Sequence, residues 1–240
     1  MLPSLTHRTE DDRKLPMLVW RFDAPLLAVS TTVLGGGIGV RHWALSATVL
    51  MSYSRDDPDA HLAELARGLD LDGAGVGFLT GVDVREWVAA EDGGVTAVAT
   101  VGLSSPAWAA APDGHGRPRI AQREDRSLRG PQSQASQIST VNIVAWVPAR
   151  LSEAALVNAA TTVTEAKAQA MWDLRLPATG TATDAVCVLC PLDGPAEPYG
   201  GPRSRWGARL ARAAHTAVRE GGSAWLRRSH LAEARETPAG

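Results

Sequence analysis

Residues 152–190, SEAALVNAATTVTEAKAQAMWDLRLPATGTATDAVCVLC, hold a long helix, a tight connection and a strand in one uninterrupted stretch. Ser152 has the side chain of a helix N-cap. At 100° per residue, Leu156, Ala160, Val163, Ala170 and Leu174 fall within roughly 40° of one line, the apolar stripe of an amphipathic helix. Pro177 and Gly180 end the periodicity. Residues 184–190 then read as a buried strand. Lys167 falls about 20° from the apolar line. An unpaired ammonium there would cost several kcal/mol or lose its proton. Lys167 therefore has a carboxylate partner or lines a site, unless its stem snorkels at the helix edge. Lysine is rare in this chain: of 24 Lys and Arg residues, only Lys14 and Lys167 are lysine. Glu165, two positions away, lies on nearly the opposite face with Asn158, Thr161, Gln169 and Trp172, which reads as a solvated surface.

The strand carries the chain's two cysteines, Cys187 and Cys190. A CxxC pair invites a redox or zinc reading. Residues three apart on a strand point to opposite faces, and no second pair completes a four-ligand site. Two reduced core cysteines are the expectation. Gly180-Thr181-Ala182-Thr183-Asp184, at the strand entrance, offers backbone N–H groups and short hydroxyls that could hold an oxyanion or an amide carbonyl. Local side-chain-to-backbone bonding is the plainer reading of the same run.

Outward from this stretch, residues 1–16 read as a flexible tail. Residues 20–33, broken by Pro25, form a strand pair or one bent strand. The glycine cluster from Gly35 through Gly36 and Gly37 to Gly39 precedes strand-like sequence rather than a helix. It therefore reads as a permissive turn or a place of close ligand approach, not a phosphate loop. Asp57-Pro58 starts a short helix to Arg67, with Asp57 as N-cap. Residues 75–80 form a strand, and Glu91-Asp92-Gly93-Gly94 is a hairpin signal between 84–90 and 95–101. Residues 103–136 lack periodicity and read as a long loop or lid. A strand over 139–147 and a last helix over 204–219 follow, then a weak C-terminal tail over 223–240. The expected fold is α+β: a single domain over 17–222, with a mixed β-sheet containing hairpins packed against two or three helices.

Bulk composition excludes several classes. A net charge of −2 provides no basic field for nucleic acid or an anionic membrane. No apolar run reaches the roughly 18 residues of a membrane span. Residues 1–14 lack the apolar stretch of a signal peptide, so a cytoplasmic location is expected. His7, His42, His61, His115, His215 and His230 are scattered without metal spacing. The composition says nothing about oligomeric state.

Three runs combine into a more specific pattern: Thr140-Val141-Asn142-Ile143, Glu165-Ala166-Lys167, and Gly180-Thr181-Ala182-Thr183-Asp184-Ala185. With Ala155-Leu156-Val157-Asn158-Ala159, Arg203-Ser204-Arg205-Trp206-Gly207, Leu34-Gly35-Gly36-Gly37, Arg55-Asp56-Asp57-Pro58 and Val76-Gly77-Phe78-Leu79-Thr80, they make the chain resemble the adenosylcobinamide amidohydrolase family of corrinoid salvage over residues 20–220. The resemblance departs near Ser46 and Ser105, where the family often carries Asn. It implies hydrolysis of the amide joining the corrin propionate arm to aminopropanol, giving adenosylcobyric acid in cobamide (vitamin B12) salvage. It also implies that the cobalt is carried by the substrate and that the protein needs no cofactor or metal of its own.

Amide hydrolysis needs a nucleophile, an oxyanion stabiliser and an acid for the leaving amine. No GxSxG elbow and no Cys–His constellation is present. The expectation is direct attack by water, with Asp184 as base and Lys167 orienting it or stabilising the oxyanion. Asn142, Thr181 and Thr183 hold the amide, next to Gly180. Glu165 is the alternative base, and Thr183 activated by Lys167 is a rival nucleophile. Gly36, Gly37 and Asp57 are candidate substrate contacts on the resemblance. Trp43, Trp108, Trp146 and Trp172 are candidates for the apolar walls that a broad, flat corrin needs. A non-catalytic corrinoid-binding module and an unrelated amidase are the alternatives.

Overall fold

The computed structural model describes residues 1–50, 52–112 and 139–236. Among the described residues, eight strands form one mixed sheet: β1 (Ser4–Glu10), β2 (Arg13–Ser30), β3 (Gly37–Thr48), β4 (Gly75–Thr80), β5 (Val88–Asp92), β6 (Val95–Val101), β7 (Val141–Trp146) and β8 (Ala185–Pro191). Three α-helices among the described residues pack on it: α1 (Pro58–Gly68), α2 (Glu153–Asp173) and α3 (Arg205–Glu236). The hydrogen-bonded order is β4-β3-β2-β8-β7-β6-β5, with β1 also on β2. The β3–β4 and β7–β8 pairs are parallel and the rest antiparallel. This is the expected α+β class, and the expected single sheet.

Strand alternation sorts the core onto two faces. One face carries Leu18, Trp20, Ala44, Val76, Phe78, Val98, Val144, Cys187 and Leu189. The other is covered by helices. Val188, Ile143 and Ala97 meet α2 and α3 through Leu156, Val163 and Leu210. Met17, Val19 and Leu45 meet α1 through Leu62 and Ala66. The sheet curls around this first face, which carries no α-helix among the described residues and receives Val84 of the 3-10 turn Val84–Glu86. Asn142 Nδ2 on β7 donates to the Leu79 carbonyl on β4 at 3.5 Å, although β3, β2 and β8 lie between them in the hydrogen-bonded order.

Several boundaries differ from the sequence expectation. Residues 4–10, expected in a flexible tail, are an edge strand paired along its length with β2. Asp11 and Asp12, at φ 49° and 57°, form the hairpin turn, a backbone region Asp tolerates. The strand is largely exposed and polar, so it has no apolar alternation to betray it. The last helix does not stop at 219 but runs to Glu236, through much of the expected C-terminal tail. Gly221 and Gly222 are poor helix formers. Tertiary packing overrides that: a Cβ at Gly221 would come within 2.8 Å of Val101, and one at Gly222 within 3.1 Å of Leu103. Their bareness lets α3 lie close on the sheet. Asp57 precedes α1, but its side chain makes no cap hydrogen bond. Arg55 engages that carboxylate instead, at 2.8 and 2.9 Å. The loop expected over 103–136 lies outside the described residues from 113 onward. Its described start pairs with the connection before β8, as an isolated bridge between Ala107 and Gly180.

Candidate active site

Ser152 caps α2 as expected, its hydroxyl accepting from Ala155 N at 3.1 Å. The helix turns Leu156, Val163 and Ala170 into the core, and the same face carries Lys167, only 7% exposed. Its ammonium donates to Asp184 Oδ2. The Asp184 carboxylate is itself 8% exposed. The helix, the connection and the strand entrance thus meet at one buried ion pair.

Asp184 has no acceptor capacity to spare. Oδ1 accepts from the backbone N–H of Val141 at 2.9 Å and from the Thr181 hydroxyl. Oδ2 accepts from the backbone N–H of Thr181 at 3.0 Å and from Lys167. A carboxylate offers about four lone-pair sites, and all are filled. Lys167 differs. Among the described residues Asp184 is its only hydrogen-bond partner, whereas an ammonium carries three donors. Gly180 is what admits the pair: a Cβ there would overlap both Asp184 Oδ2 and Lys167 Nζ.

Further hydroxyls tie this corner together. Thr140 Oγ1 donates to the Thr183 carbonyl at 2.9 Å, Thr183 Oγ1 to the Ser139 carbonyl at 3.2 Å, and Ser139 Oγ to the Gly102 carbonyl at 2.8 Å. Asn142 follows on β7, opposite Thr100 on β6 and Ala185 on β8. Its carboxamide is loosely held, by Thr140 at 3.4 Å and by Leu79 at 3.5 Å. The buried hydroxyls of Thr100 and Ser46 have no partner among the described residues. The β2–β3 connection reaches the same end of β8: Thr31 N donates to the Val186 carbonyl, and Val186 N to Thr31 Oγ1, both at 3.0 Å. Arg41 braces that connection, donating to the carbonyls of Gly35 at 2.8 Å and Gly36 at 3.3 Å. The glycines thus offer their carbonyls to a cation, which a phosphate loop does not do.

A family model described as adenosylcobinamide amidohydrolase matches residues 2–230. The chain belongs to that family. Similar proteins carry the same printed name. One from Methanosarcina mazei is 30% identical over 203 residues, 81% of this chain and 88% of that protein. One from Halobacterium salinarum is 34% identical over 144 residues, 59% of this chain and 56% of that protein.

Within this adenosylcobinamide amidohydrolase family member, the structure gathers Lys167, Asp184, Gly180, Thr181, Thr183 and Asn142 at one corner. It does not bring in Glu165, which is exposed on the opposite side of α2, because two residues along a helix turn a side chain through about 200°. Asp57 is engaged by Arg55 at the start of α1, the helix over the Met17–Leu62 cluster. Thr183 does not meet Lys167: its hydroxyl goes to Ser139. The Val141 N–H and the bracing role of Arg41 were not foreseen. The first had a sequence signal, since Val141 lies inside the Thr-Val-Asn-Ile run. The second had one in Arg41 itself, a charged residue inside an apolar strand.

The cysteines part as the strand period requires. Cys187 joins the core on the Leu18–Phe78 face and Cys190 the core beneath α2 and α3. Burial pushes the Cys187 thiol up to about 12 and raises that of Cys190. Among the described residues, no three His, Cys, Asp or Glu side chains cluster to hold a metal ion. No helix among the described residues is long and apolar enough to cross a membrane.

Of the candidate tryptophans, Trp43 and Trp146 belong to core packing, Trp43 with its indole N–H on the Gly73 carbonyl at 3.1 Å. Trp108 and Trp172 are exposed. Trp108 follows directly on Ala107, the residue bridged to Gly180.

Proposed function

We propose that this protein hydrolyses the amide between the corrin propionate arm and aminopropanol in adenosylcobinamide, yielding adenosylcobyric acid and aminopropanol for corrinoid salvage. The observation that carries the reading is the buried Lys167–Asp184 pair, formed between two of the three runs that carry the family pattern. Amide hydrolysis builds negative charge on the carbonyl oxygen. The spare N–H donors of Lys167 suit that charge, and Asp184 keeps the ammonium paired and aimed. The Asn142 carboxamide, loosely held at the neighbouring strand position, is a second donor for the amide or for a side-chain amide of the corrin. Cobalt enters with the substrate, and no cofactor of the protein is assigned a role. The location is read as cytoplasmic, and nucleic acid and membrane are not partners in this reading.

Asp184 as base toward a free water is the part of the sequence expectation that the geometry supports least. A water could reach the carboxylate only by displacing one of its four donors.

Incubation with adenosylcobinamide tests the function. Release of aminopropanol in step with formation of the corrinoid acid is expected. Tight binding with intact substrate would identify a binding module, and cleavage of simple amides with indifference to corrinoids an unrelated amidase. Near-normal turnover by both Asp184→Asn and Lys167→Ala would remove the pair from the chemistry.

A further inference from the structure

We infer that Thr181 is the nucleophile of this site, acylated through its hydroxyl during turnover; the inference rests on the amidohydrolase reading above. Four hydroxyls crowd the corner, and three of them donate to backbone carbonyls: Ser139 to Gly102, Thr140 to Thr183, and Thr183 to Ser139. A carbonyl oxygen cannot take up a proton at neutral pH. Thr181 alone directs its hydroxyl at a carboxylate, Asp184 Oδ1. Ser139 and Thr140 are also buried, whereas Thr181 is partly exposed. It therefore combines access with a base.

The filled carboxylate decides between water and threonine. Of the four donors on Asp184, two are backbone N–H groups and one is the Lys167 ammonium. The fourth is the Thr181 hydroxyl, the only donor whose oxygen can attack a carbonyl once its proton is gone. No acceptor position has to be vacated for that transfer.

The steps balance. Thr181 Oγ bonds to the amide carbonyl carbon as its O–H bond breaks and the proton passes to Asp184 Oδ1. The carbonyl electron pair moves onto oxygen, facing Lys167. When C=O re-forms, the C–N bond breaks, and the proton on Asp184 passes to the nitrogen, which leaves as aminopropanol. Water then attacks the Thr181 ester and gives a proton to Asp184. The ester C–O bond breaks, and Thr181 Oγ takes that proton back. The sum is amide plus water to acid plus amine.

The test compares Thr181→Ala and Thr181→Ser with the full-length wild type, using adenosylcobinamide and following kcat, KM and the acid-quenched protein by mass spectrometry. Thr181→Ala should lose at least about 10³-fold in kcat with KM changed by less than about threefold, and Thr181→Ser should keep at least about a tenth of wild-type kcat. Corrinoid attached to the peptide containing residue 181 in quenched wild type or Thr181→Ser completes the expected result, and a merely structural threonine would not produce it. Turnover by Thr181→Ala above about a hundredth of wild type overturns the inference. So does corrinoid on another residue, or an equal loss in both variants. If Thr181→Ala does not fold, rapid quenching of wild type across its first turnover decides: adduct at residue 181 supports the assignment, and no adduct there overturns it. A wild type that releases no aminopropanol refutes instead the amidohydrolase reading itself.

Discussion

Lys167 on α2 and Asp184 before β8 stand seventeen residues apart in the chain and form a buried ion pair against the bare Cα of Gly180. Each of the three constrains the other two. Taking two charges out of water is costly, and attraction offsets that cost only with close contact and satisfied remaining valences. The two backbone N–H groups and the hydroxyl on Asp184 complete it on one side. On the other side, Lys167 keeps donors that have no partner among the described residues.

Gly180→Ala should be among the most damaging small substitutions in the chain. The added methyl would occupy space held by the Asp184 carboxylate and the Lys167 ammonium. Forcing a methyl into a packed site costs about 1–3 kcal/mol, and the ammonium would be pushed out of the position the proposed reaction requires. Urea unfolding should show that loss, and turnover should fall by at least about tenfold, equivalent to about 1.4 kcal/mol of misplacement.

Stability and catalysis should separate at the ion pair. Lys167→Met alone leaves a buried carboxylate unpaired, at a cost of about 3–5 kcal/mol. Lys167→Met combined with Asp184→Leu removes both charges and should recover part of that stability, because an apolar pair can replace a buried ion pair. Activity should stay lost in both. Denaturant melts beside aminopropanol release check this; a double variant no more stable than the single would show that the Val141 and Thr181 contacts dominate.

Glu165→Ala should leave kcat within about threefold of wild type, since an exposed helix-surface substitution away from a site changes little. A loss comparable to that of Lys167→Ala would put Glu165 in the chemistry despite its face of the helix.

The pH dependence of stability should carry a contribution from His61. The residue is buried on α1, stacked on Tyr53, with Glu10 at 3.7 Å. Burial holds its pKa below the ordinary value, outweighing the opposing pull of Glu10; Arg55 and Arg8 lower it further. The unfolded chain therefore binds this proton more readily than the folded one. His61 contributes its full stability above the unfolded pKa of about 6.5 and loses it as pH falls through the lower folded value. Urea midpoints at pH 8 and pH 5.5 should differ more for wild type than for His61→Gln.

The inward-facing lysine, the Ser152 cap, the diverging cysteines and the Gly93-Gly94 hairpin were all legible in the sequence. Each depends on the period of a single element or on local turn chemistry: Gly93 and Gly94 do take positive φ, 54° and 89°. Edge strand β1 was not legible, because its residues face solvent and follow no apolar pattern. Nor was the continuation of α3 through Gly221 and Gly222, where the sheet beneath supplies what helix propensity lacks.

The sequence by itself determined that Lys167 points inward, that a Thr-Asp corner follows the helix, and which family pattern the two belong to. Tertiary structure alone decided what Asp184 is bonded to. Its partners include an N–H from β7, forty-three residues back in the chain, and the count of those partners turns a candidate base for water into a carboxylate committed to Thr181 and Lys167. The physical reason is that periodicity fixes the direction of a side chain within its own helix or strand. The number of donors that reach a carboxylate depends on how separate elements pack, and no local repeat encodes that.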